Sequence, residues 1–291
     1  MTGAVVVSPL FAHLVDDAGL FPPEALTMTE ATARHRHDSA AGHPVLTHRF
    51  LCTTGDLPAF LDALHPEDRF SVGLITHLDP SAVRSALSRT ADDPRVELVG
   101  VEGPLPSGPD SLTAVMRALN ALDDLPQHAS GYIEVPLAGD RPPPVDVLRL
   151  LGRGRRAAKV RCGGLRTELF PSCQSLGAFV HACVTEDVPF KATAGLHHAV
   201  RYRDERTGFI HHGFLNLLLA VCRVVDGGTG EAAVAVLGST DAEALAAEAR
   251  QVSSATAAAA RALFVAYGSC STSEPIDDLR ALGLVAKEDA A

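Results

Sequence analysis

Two lysines are the residues of this chain best suited to covalent chemistry. The sequence has 22 arginines and only three lysines; Lys159 and Lys191 each lie inside a short apolar run, whereas Lys287 lies near the C-terminus. Arginine stays protonated in proteins, while lysine can be tuned to a neutral amine, so these lysines indicate chemistry that arginine cannot perform. A neutral amine attacks a carbonyl carbon and forms a Schiff base. The two lysines therefore predict a site for a carbonyl compound.

The residues that follow these lysines suit an anionic substrate. Arg161 lies two residues after Lys159, so both side chains point to the same side of a strand. A guanidinium beside an amine favours the neutral amine and binds carboxylate or phosphate. Gly163, Gly164 and Gly195 come next, and glycine lets backbone amides approach a bound anion closely. Ordinary tight turns explain these glycines equally well.

Imidazole and amide groups follow the second lysine. His197 and His198 come shortly after Lys191, and Asn216 lies further along the chain. Histidine titrates near neutral pH and commonly acts as a general acid or base. We expect one of the two histidines to move protons. We expect Asn216 either to orient the substrate or to satisfy the start of a helix.

Other polar residues interrupt apolar runs or follow them closely: Asp16, Asp17, Arg49, His77, Glu102 and Glu134. A buried parallel strand is normally almost entirely apolar, so each of these residues needs a partner or a function. We expect Glu102 or Glu134 to transfer protons, and Asp17, Arg49 and His77 to contact substrate.

Two alternatives remain open for these residues. One is a buried ionic network in which the glutamates pair with the lysines. The other is a divalent metal ion held by His77, the two glutamates and one of the later histidines. Apart from that metal, we expect no cofactor.

Short apolar runs alternate with helical patterns along most of the chain. The runs lie within 10–19 and at 45–52, 70–77, 96–103, 131–137, 157–164, 189–195 and 232–238. This alternation predicts βα units and a parallel sheet. Eight units in a chain of this length predict an α/β fold of the (β/α)8 TIM-barrel type, in which catalytic groups lie at the carboxyl ends of the strands. An open doubly wound sheet is the second choice. It should show a glycine-rich turn after an early strand, whereas the glycine-bearing strand ends of this chain come late, at 162–164 and 194–195. We expect one barrel domain over residues 1–270 and a partly ordered C-terminal extension over 271–291.

Composition excludes several classes of function. The formal net charge of −10 argues against a nucleic-acid-binding protein. The longest apolar stretch is too short for a membrane span, and the first 20 residues lack the basic start of a secretion signal. The six cysteines show no CxxC spacing and favour reduced thiols. We expect a cytoplasmic protein whose partner is a small anionic carbonyl metabolite, and we leave self-association into a homo-oligomer open.

Two resemblances extend these predictions. The strings AGLFPP (18–23), KVRCGG (159–164), FKATAGLHH (190–198) and HGFLN (212–216) resemble a family of uncharacterised bacterial proteins. The order of the two lysines also resembles class I aldolases of the deoxyribose-phosphate aldolase type. That family is a (β/α)8 barrel with a Schiff-base lysine on the sixth strand, a second lysine on the seventh and a carboxylate on an earlier strand. The resemblance implies these roles for Lys159, Lys191 and Glu102 or Glu134.

Three functions are consistent with these residues. The first is an aldolase-like lyase in which Lys159 forms a Schiff base at the mouth of the barrel. The second is a non-covalent lyase or isomerase, in which the lysines or a metal ion stabilise an enolate. The third is a barrel without catalytic activity that binds an anionic metabolite.

Overall fold

The computed structural model describes residues 7–105, 111–137 and 139–286. Ten strands lie within this part of the chain: β1 (Val15–Asp17), β2 (Leu46–Thr53), β3 (Phe70–Ile75), β4 (Val96–Pro104), β5 (Ser130–Glu134), β6 (Ala157–Arg161), β7 (Phe190–Thr193), β8 (Tyr202–Arg203), β9 (Ile210–His211) and β10 (Phe264–Ser269). Eight of them form a closed parallel barrel in the order β1-β10-β7-β6-β5-β4-β3-β2. This confirms the predicted (β/α)8 fold. The other two, β8 and β9, pair as an antiparallel hairpin.

Helices follow the barrel strands in chain order. One helix follows each of β1 to β6, four helices lie between the hairpin and β10, and the last follows β10. They are α1 (Met28–Ala41), α2 (Leu57–Ala63), α3 (Pro80–Ala91), α4 (Ser111–Ala121), α5 (Val145–Arg153), α6 (Cys173–Thr185), α7 (Phe214–Val225), α8 (Gly230–Gly238), α9 (Ala242–Gln251), α10 (Ser254–Leu263) and α11 (Ser273–Ala281). Among the described residues, no helix combines the length and apolar character needed to cross a membrane.

Polar caps fix where the helices begin after the strands. Thr27 and Glu30 form a reciprocal capping box at the start of α1, with each side chain accepting from the other residue's backbone N–H. Asp79 caps α3 by accepting from two backbone N–H groups of its first turn. These bonds satisfy donors that a helix start leaves unpaired, so they stabilise the first turns of α1 and α3.

The predicted position of the eighth strand is wrong. The run AAVAVLG (232–238) lies in helix α8, and the eighth barrel strand is β10, which follows directly on α10. A short apolar run cannot be assigned to strand or buried helix from periodicity alone. Here the cap decides, because Thr229 Oγ1 accepts a hydrogen bond from Ala232 N at 3.3 Å and starts a helix. That helix packs against α6 and α7.

The segment expected to be a C-terminal extension contributes a helix to the barrel. Helix α11 follows the eighth strand, where a (β/α)8 barrel has its last helix. Its Asp278 accepts a hydrogen bond from Ala199 N at 2.7 Å, which ties the helix to the loop after β7. Lys287 lies outside the described residues.

Candidate active site

Seven charged side chains form one continuous network inside the barrel, hereafter the charged network. Ion pairs join them in the following order: Arg49, Asp16, Lys191, Glu102, Lys159, Glu134 and Arg161. Positive and negative groups alternate, and an arginine stands at each end. Lys191 on β7 and Glu102 on β4 belong to strands that are not neighbours in the barrel order. Such a contact crosses the interior, so the network lies inside the barrel.

Lys191 lies in the buried part of the network, between two carboxylates. Its Nζ lies 2.6 Å from Asp16 Oδ2 and 2.9 Å from Glu102 Oε1, and 5.0 Å from the centre of the Tyr132 ring. The side chain is 1% exposed. Burial alone lowers the pKa of Lys191, but the charges of Asp16 and Glu102 outweigh it and the pKa is raised. Lys191 is therefore held as an ammonium ion.

Lys159 lies beside Lys191 but has different partners. The two lysines are level with each other on neighbouring strands, and Glu134 is level with Lys159 on the other side. Lys159 Nζ lies 2.7 Å from Glu102 Oε2 and 3.5 Å from Glu134 Oε2. Its side chain is 4% exposed. Lys159 thus joins the buried part of the network to the part near solvent.

Glu102 bridges the two lysines, one through each carboxylate oxygen. Burial raises the pKa of a carboxyl group, but here the ammonium groups of Lys159 and Lys191 outweigh burial and lower the pKa of Glu102 to about 2. Glu102 therefore stays ionised at any physiological pH. It is therefore a poor proton acceptor.

Glu134 and Arg161 form the outer end of the network. Each is the last residue of its strand, so both lie at the mouth, the end of the barrel formed by the carboxyl ends of the strands. Arg161 Nε donates to Glu134 Oε1 over 3.1 Å. The Arg161 side chain is 38% exposed and that of Glu134 is 18% exposed. Solvent or a ligand reaches the network from this end.

Asp16 and Arg49 form the other end of the network. Asp16 accepts from Thr47 Oγ1 at 2.7 Å and pairs with Arg49 at 3.2 Å. Thr47 and Arg49 flank His48, whose φ of 55° lies in the left-handed region. The pairing of β1 with β2 shifts register at this point, as at a β-bulge, which re-aims side chains locally. Both flanking side chains thereby reach Asp16.

Two glycines leave room for the long polar side chains inside the barrel. A Cβ atom at Gly73 would lie 2.7 Å from Leu51 Cδ2 and 3.2 Å from Arg49 Cδ. A Cβ atom at Gly100 would lie 3.5 Å from Tyr132 Cε2. Barrel interiors are usually filled by bulky branched side chains. Here glycine on β3 makes space that Leu51 and Arg49 fill, and Gly100 on β4 leaves the Tyr132 ring in ordinary van der Waals reach.

Six of the predicted site residues meet in this network: Lys159, Lys191, Glu102, Glu134, Arg161 and Arg49. Asp17 does not join them, because adjacent residues of a strand face opposite sides. Its carboxylate contacts Arg34 and His35 of α1, outside the barrel. Burial raises the pKa of Asp17, and these two partners reverse the effect and lower it.

Two other predicted residues also lie apart from the network. His77 is exposed just after β3. Asn216 is fully buried in α7, where its amide nitrogen donates to Val236 O and Ser239 O and its oxygen accepts from Arg201 N. All of these Asn216 bonds go to backbone groups, so its role here is to hold the loop before α7 and the end of α8 in place.

The two predicted histidines lie in the loop after β7. His198 Nδ1 lies 3.2 Å from an oxygen of Asp278 on α11. His197 Nδ1 lies 3.7 Å from Cys270 Sγ, and its ring lies 5.6 Å from that of His211. Burial, His211 and His198 lower the pKa of His197 to about 4, so its ring is neutral near pH 7. In the part of the chain that the structure describes, neither His197 nor His198 forms an ion pair with the charged network.

The predicted glycines bring the loops after β6 and β7 into contact. A Cβ atom at Gly195, whose φ is 74°, would lie 2.8 Å from both Cys162 O and Gly163 Cα. A Cβ atom at Gly164 would lie 2.5 Å from Leu169 Cδ1. Glycine is therefore required at 195, where the two loops meet through backbone atoms, whereas Gly164 packs against a side chain within the loop after β6.

Sequence reasoning named both aspartates of β1 but chose Asp17 over Asp16, and it did not select Thr47 or Tyr132, which contact network residues. Strand alternation indicates that one of the two consecutive aspartates on β1 faces the interior, but not which one. Tyr132 lies two residues before Glu134, on the same side of β5. That spacing is the signal from which Tyr132 could have been found. No group of three or more His, Cys, Asp or Glu side chains among residues 7–105, 111–137 and 139–286 is arranged to hold a metal ion.

Fold and site together define the chain as a (β/α)8 barrel with a buried lysine–carboxylate network that opens at the mouth. A comparison of the chain with models of known protein families finds no match. A comparison with curated proteins finds none either.

Proposed function

We propose that this protein is an aldolase-like lyase that acts on a small anionic carbonyl compound through a Schiff base on Lys159. The observation that carries this proposal is the position of Lys159 in the charged network. It is level with Lys191, shares Glu102 with it, and is the lysine that reaches Glu134 at the mouth. The lysine order of class I aldolases of the deoxyribose-phosphate aldolase type fits this assignment.

The two lysines have different roles in this proposal. Lys191 is enclosed by Asp16, Glu102 and the Tyr132 ring and keeps its proton, so it serves as a fixed positive charge. Lys159 lies level with it on the neighbouring strand and supplies the nucleophile.

Glu134 is the proton carrier in this mechanism. Lys159 transfers one proton to Glu134, and its amine then attacks the carbonyl carbon of the substrate. A proton passes from nitrogen to oxygen to give a neutral carbinolamine. Protonated Glu134 returns its proton to the hydroxyl group, which leaves as water, and an iminium ion remains. In a substrate with a hydroxyl group on the second carbon from the iminium carbon, Glu134, again a carboxylate, accepts the hydroxyl proton. The bond between the first and second carbons breaks, an aldehyde leaves, and the electron pair converts the iminium ion to an enamine. Glu134 returns the proton to the enamine carbon, and addition of water releases the carbonyl product and the Lys159 ammonium.

The remaining groups position the reaction. Glu102 stays ionised and holds both lysine side chains in place. Arg161 at the mouth binds the anionic group of the substrate. His197 lies in the loop after β7 and is neutral near pH 7. Its ring can therefore form a hydrogen bond with the substrate but adds no positive charge to the site.

A second candidate is a non-covalent lyase or isomerase that stabilises an enolate. It is favoured by the carboxylates that pair with both amines and by the raised pKa of Lys191. Two ammonium groups side by side can stabilise a developing negative charge on oxygen without covalent attack.

Borohydride trapping separates the two candidates. The protein is incubated with small carbonyl compounds, reduced, and mapped by peptide mass spectrometry. Covalent catalysis predicts a reduced adduct on Lys159, which Lys159→Arg abolishes. With only three lysines in the chain, assignment is unambiguous, and Lys287→Arg is the matched control that leaves the adduct intact. Turnover of a carbonyl substrate without any adduct on Lys159 would refute the Schiff base and favour the enolate mechanism.

A further inference from the structure

The outer end of the charged network specifies the substrate more closely, on the assumption that the proposed Schiff base on Lys159 holds. We propose that the substrate is a short 2-oxo acid, with its carboxylate bound by Arg161 directly beside the carbon that Lys159 attacks. Two independent observations carry this inference: the unused donors of Arg161 and the charge balance of the network.

Arg161 has hydrogen-bond donors that no described residue uses. Its Nε is engaged with Glu134, but its two terminal amino groups have no hydrogen-bond partner among the described residues. Arginine presents its donors as a planar fork that matches the two oxygens of a carboxylate. Because Glu134 holds the guanidinium through Nε and the group is 38% exposed at the mouth, the terminal fork is available to an incoming ligand.

The Arg161 guanidinium lies close to the nucleophile. A single carboxylate, that of Glu134, links the two groups: Oε1 lies 3.1 Å from Arg161 Nε and Oε2 lies 3.5 Å from Lys159 Nζ. An anion bound by Arg161 is therefore held near the amine. In a 2-oxo acid the carboxylate is bonded directly to the carbonyl carbon, which fits this spacing. In a phosphorylated aldehyde at least one carbon and an ester oxygen lie between the two groups.

Charge balance also favours a single negative charge. The network has four cations and three carboxylates, so it carries one excess positive charge when all groups are ionised. The iminium ion on Lys159 retains the charge of the ammonium it replaces. One carboxylate then neutralises the buried network, whereas a phosphate dianion would leave it negative. Uncompensated charge is costly in a site of low exposure.

Trapping with three probes tests the inference: pyruvate as 2-oxo acid, acetaldehyde as uncharged carbonyl, and glycolaldehyde phosphate as phosphorylated aldehyde. The readout is the probe concentration that gives half-maximal reduced adduct on Lys159. We expect pyruvate to need the lowest concentration. In Arg161→Gln the preference for pyruvate over acetaldehyde should fall about 10- to 100-fold, the factor expected for a hydrogen-bonded charged contact. Arg161→Lys, which keeps the charge but not the fork, should lose part of the preference.

The matched control is Arg166→Gln, at an exposed arginine in the loop that follows Arg161, which should keep the preference of the wild type. Circular dichroism checks that each variant is folded. Three results overturn the inference. A preference for glycolaldehyde phosphate, or an unchanged pyruvate preference in Arg161→Gln, refutes the 2-oxo acid while the Schiff base on Lys159 stands. The absence of a Lys159 adduct with every probe refutes the Schiff base and this inference with it.

Discussion

Glu102 and Lys191 should be strongly coupled in stability, because each compensates the other's buried charge. Glu102→Gln leaves Lys191 with Asp16 alone and Lys159 with Glu134 at 3.5 Å. Lys191→Met leaves Glu102 with Lys159 alone. Removing one partner of a buried ion pair costs about 3–5 kcal/mol. The lowered pKa of Glu102 supports this size, since a fall from 4.5 to about 2 corresponds to roughly 3 kcal/mol.

The double variant removes one positive and one negative charge together. Asp16 keeps Arg49, and Lys159 keeps Glu134. Replacing a buried ion pair by neutral groups of similar volume is often close to neutral in stability. We therefore expect the double variant to lose less stability than the sum of the two single variants, with a coupling energy of about 3 kcal/mol.

Urea unfolding measures this cycle. The chain has no tryptophan, so unfolding is followed by far-ultraviolet circular dichroism. The pH dependence is a second readout: the folded-state pKa of Glu102 lies below its unfolded value, so its contribution is complete above about pH 4.5 and is lost as pH falls towards 2. Glu102→Gln should abolish that part of the acid dependence. Additive losses, or a cost below about 1 kcal/mol for each single variant, would refute the description of these residues as one network.

Three further predictions concern the surroundings of the network. Gly195→Ala should lose more stability than Gly42→Ala in urea unfolding. Both positions have a left-handed φ, which costs a non-glycine residue about 1–2 kcal/mol, but only at Gly195 would the added Cβ atom also meet backbone atoms at 2.8 Å. Equal losses would contradict the loop contact. Burial raises the pKa of the Cys162 thiol to about 12, so a thiol reagent should label half-buried Cys173 first, and simultaneous labelling in peptide mass spectra would count against this order. His197 should titrate in NMR spectra near pH 4, so its contribution to stability is complete above about pH 6.5 and lost as pH falls through 4; titration near 6.5 would show that its ring is not buried.

The lysine strands were predictable because their signals are local. A charged residue inside an apolar run marks a strand with a polar interior face, and Lys159 and Lys191 indeed lie on β6 and β7. The spacing of Lys159 and Arg161 placed both on one face, and both belong to the network. Strand alternation carries this information without any knowledge of the tertiary structure.

Features that depend on distant parts of the chain were not predictable. The eighth strand begins directly after α10, so no break in the apolar pattern separates helix from strand. Which of the two aspartates of β1 faces the interior depends on α1. Arg34 and His35 of that helix pair with Asp17 on the outside of the barrel. The bulge at His48 changes the direction of neighbouring side chains, and nothing in the residue type announces it.

The alternation of charges along the network has a consequence for how this sequence can diverge. Substituting one charged member by a neutral residue leaves the charge of its partner uncompensated inside the barrel. Substituting two adjacent members of opposite sign together keeps the net charge of the network unchanged. Descendants of this chain should therefore gain or lose these residues in complementary pairs, such as Glu102 with Lys191. In an alignment of close relatives, we therefore expect the charged positions of β1, β4 and β7 to covary, because Asp16 and Glu102 both pair with Lys191.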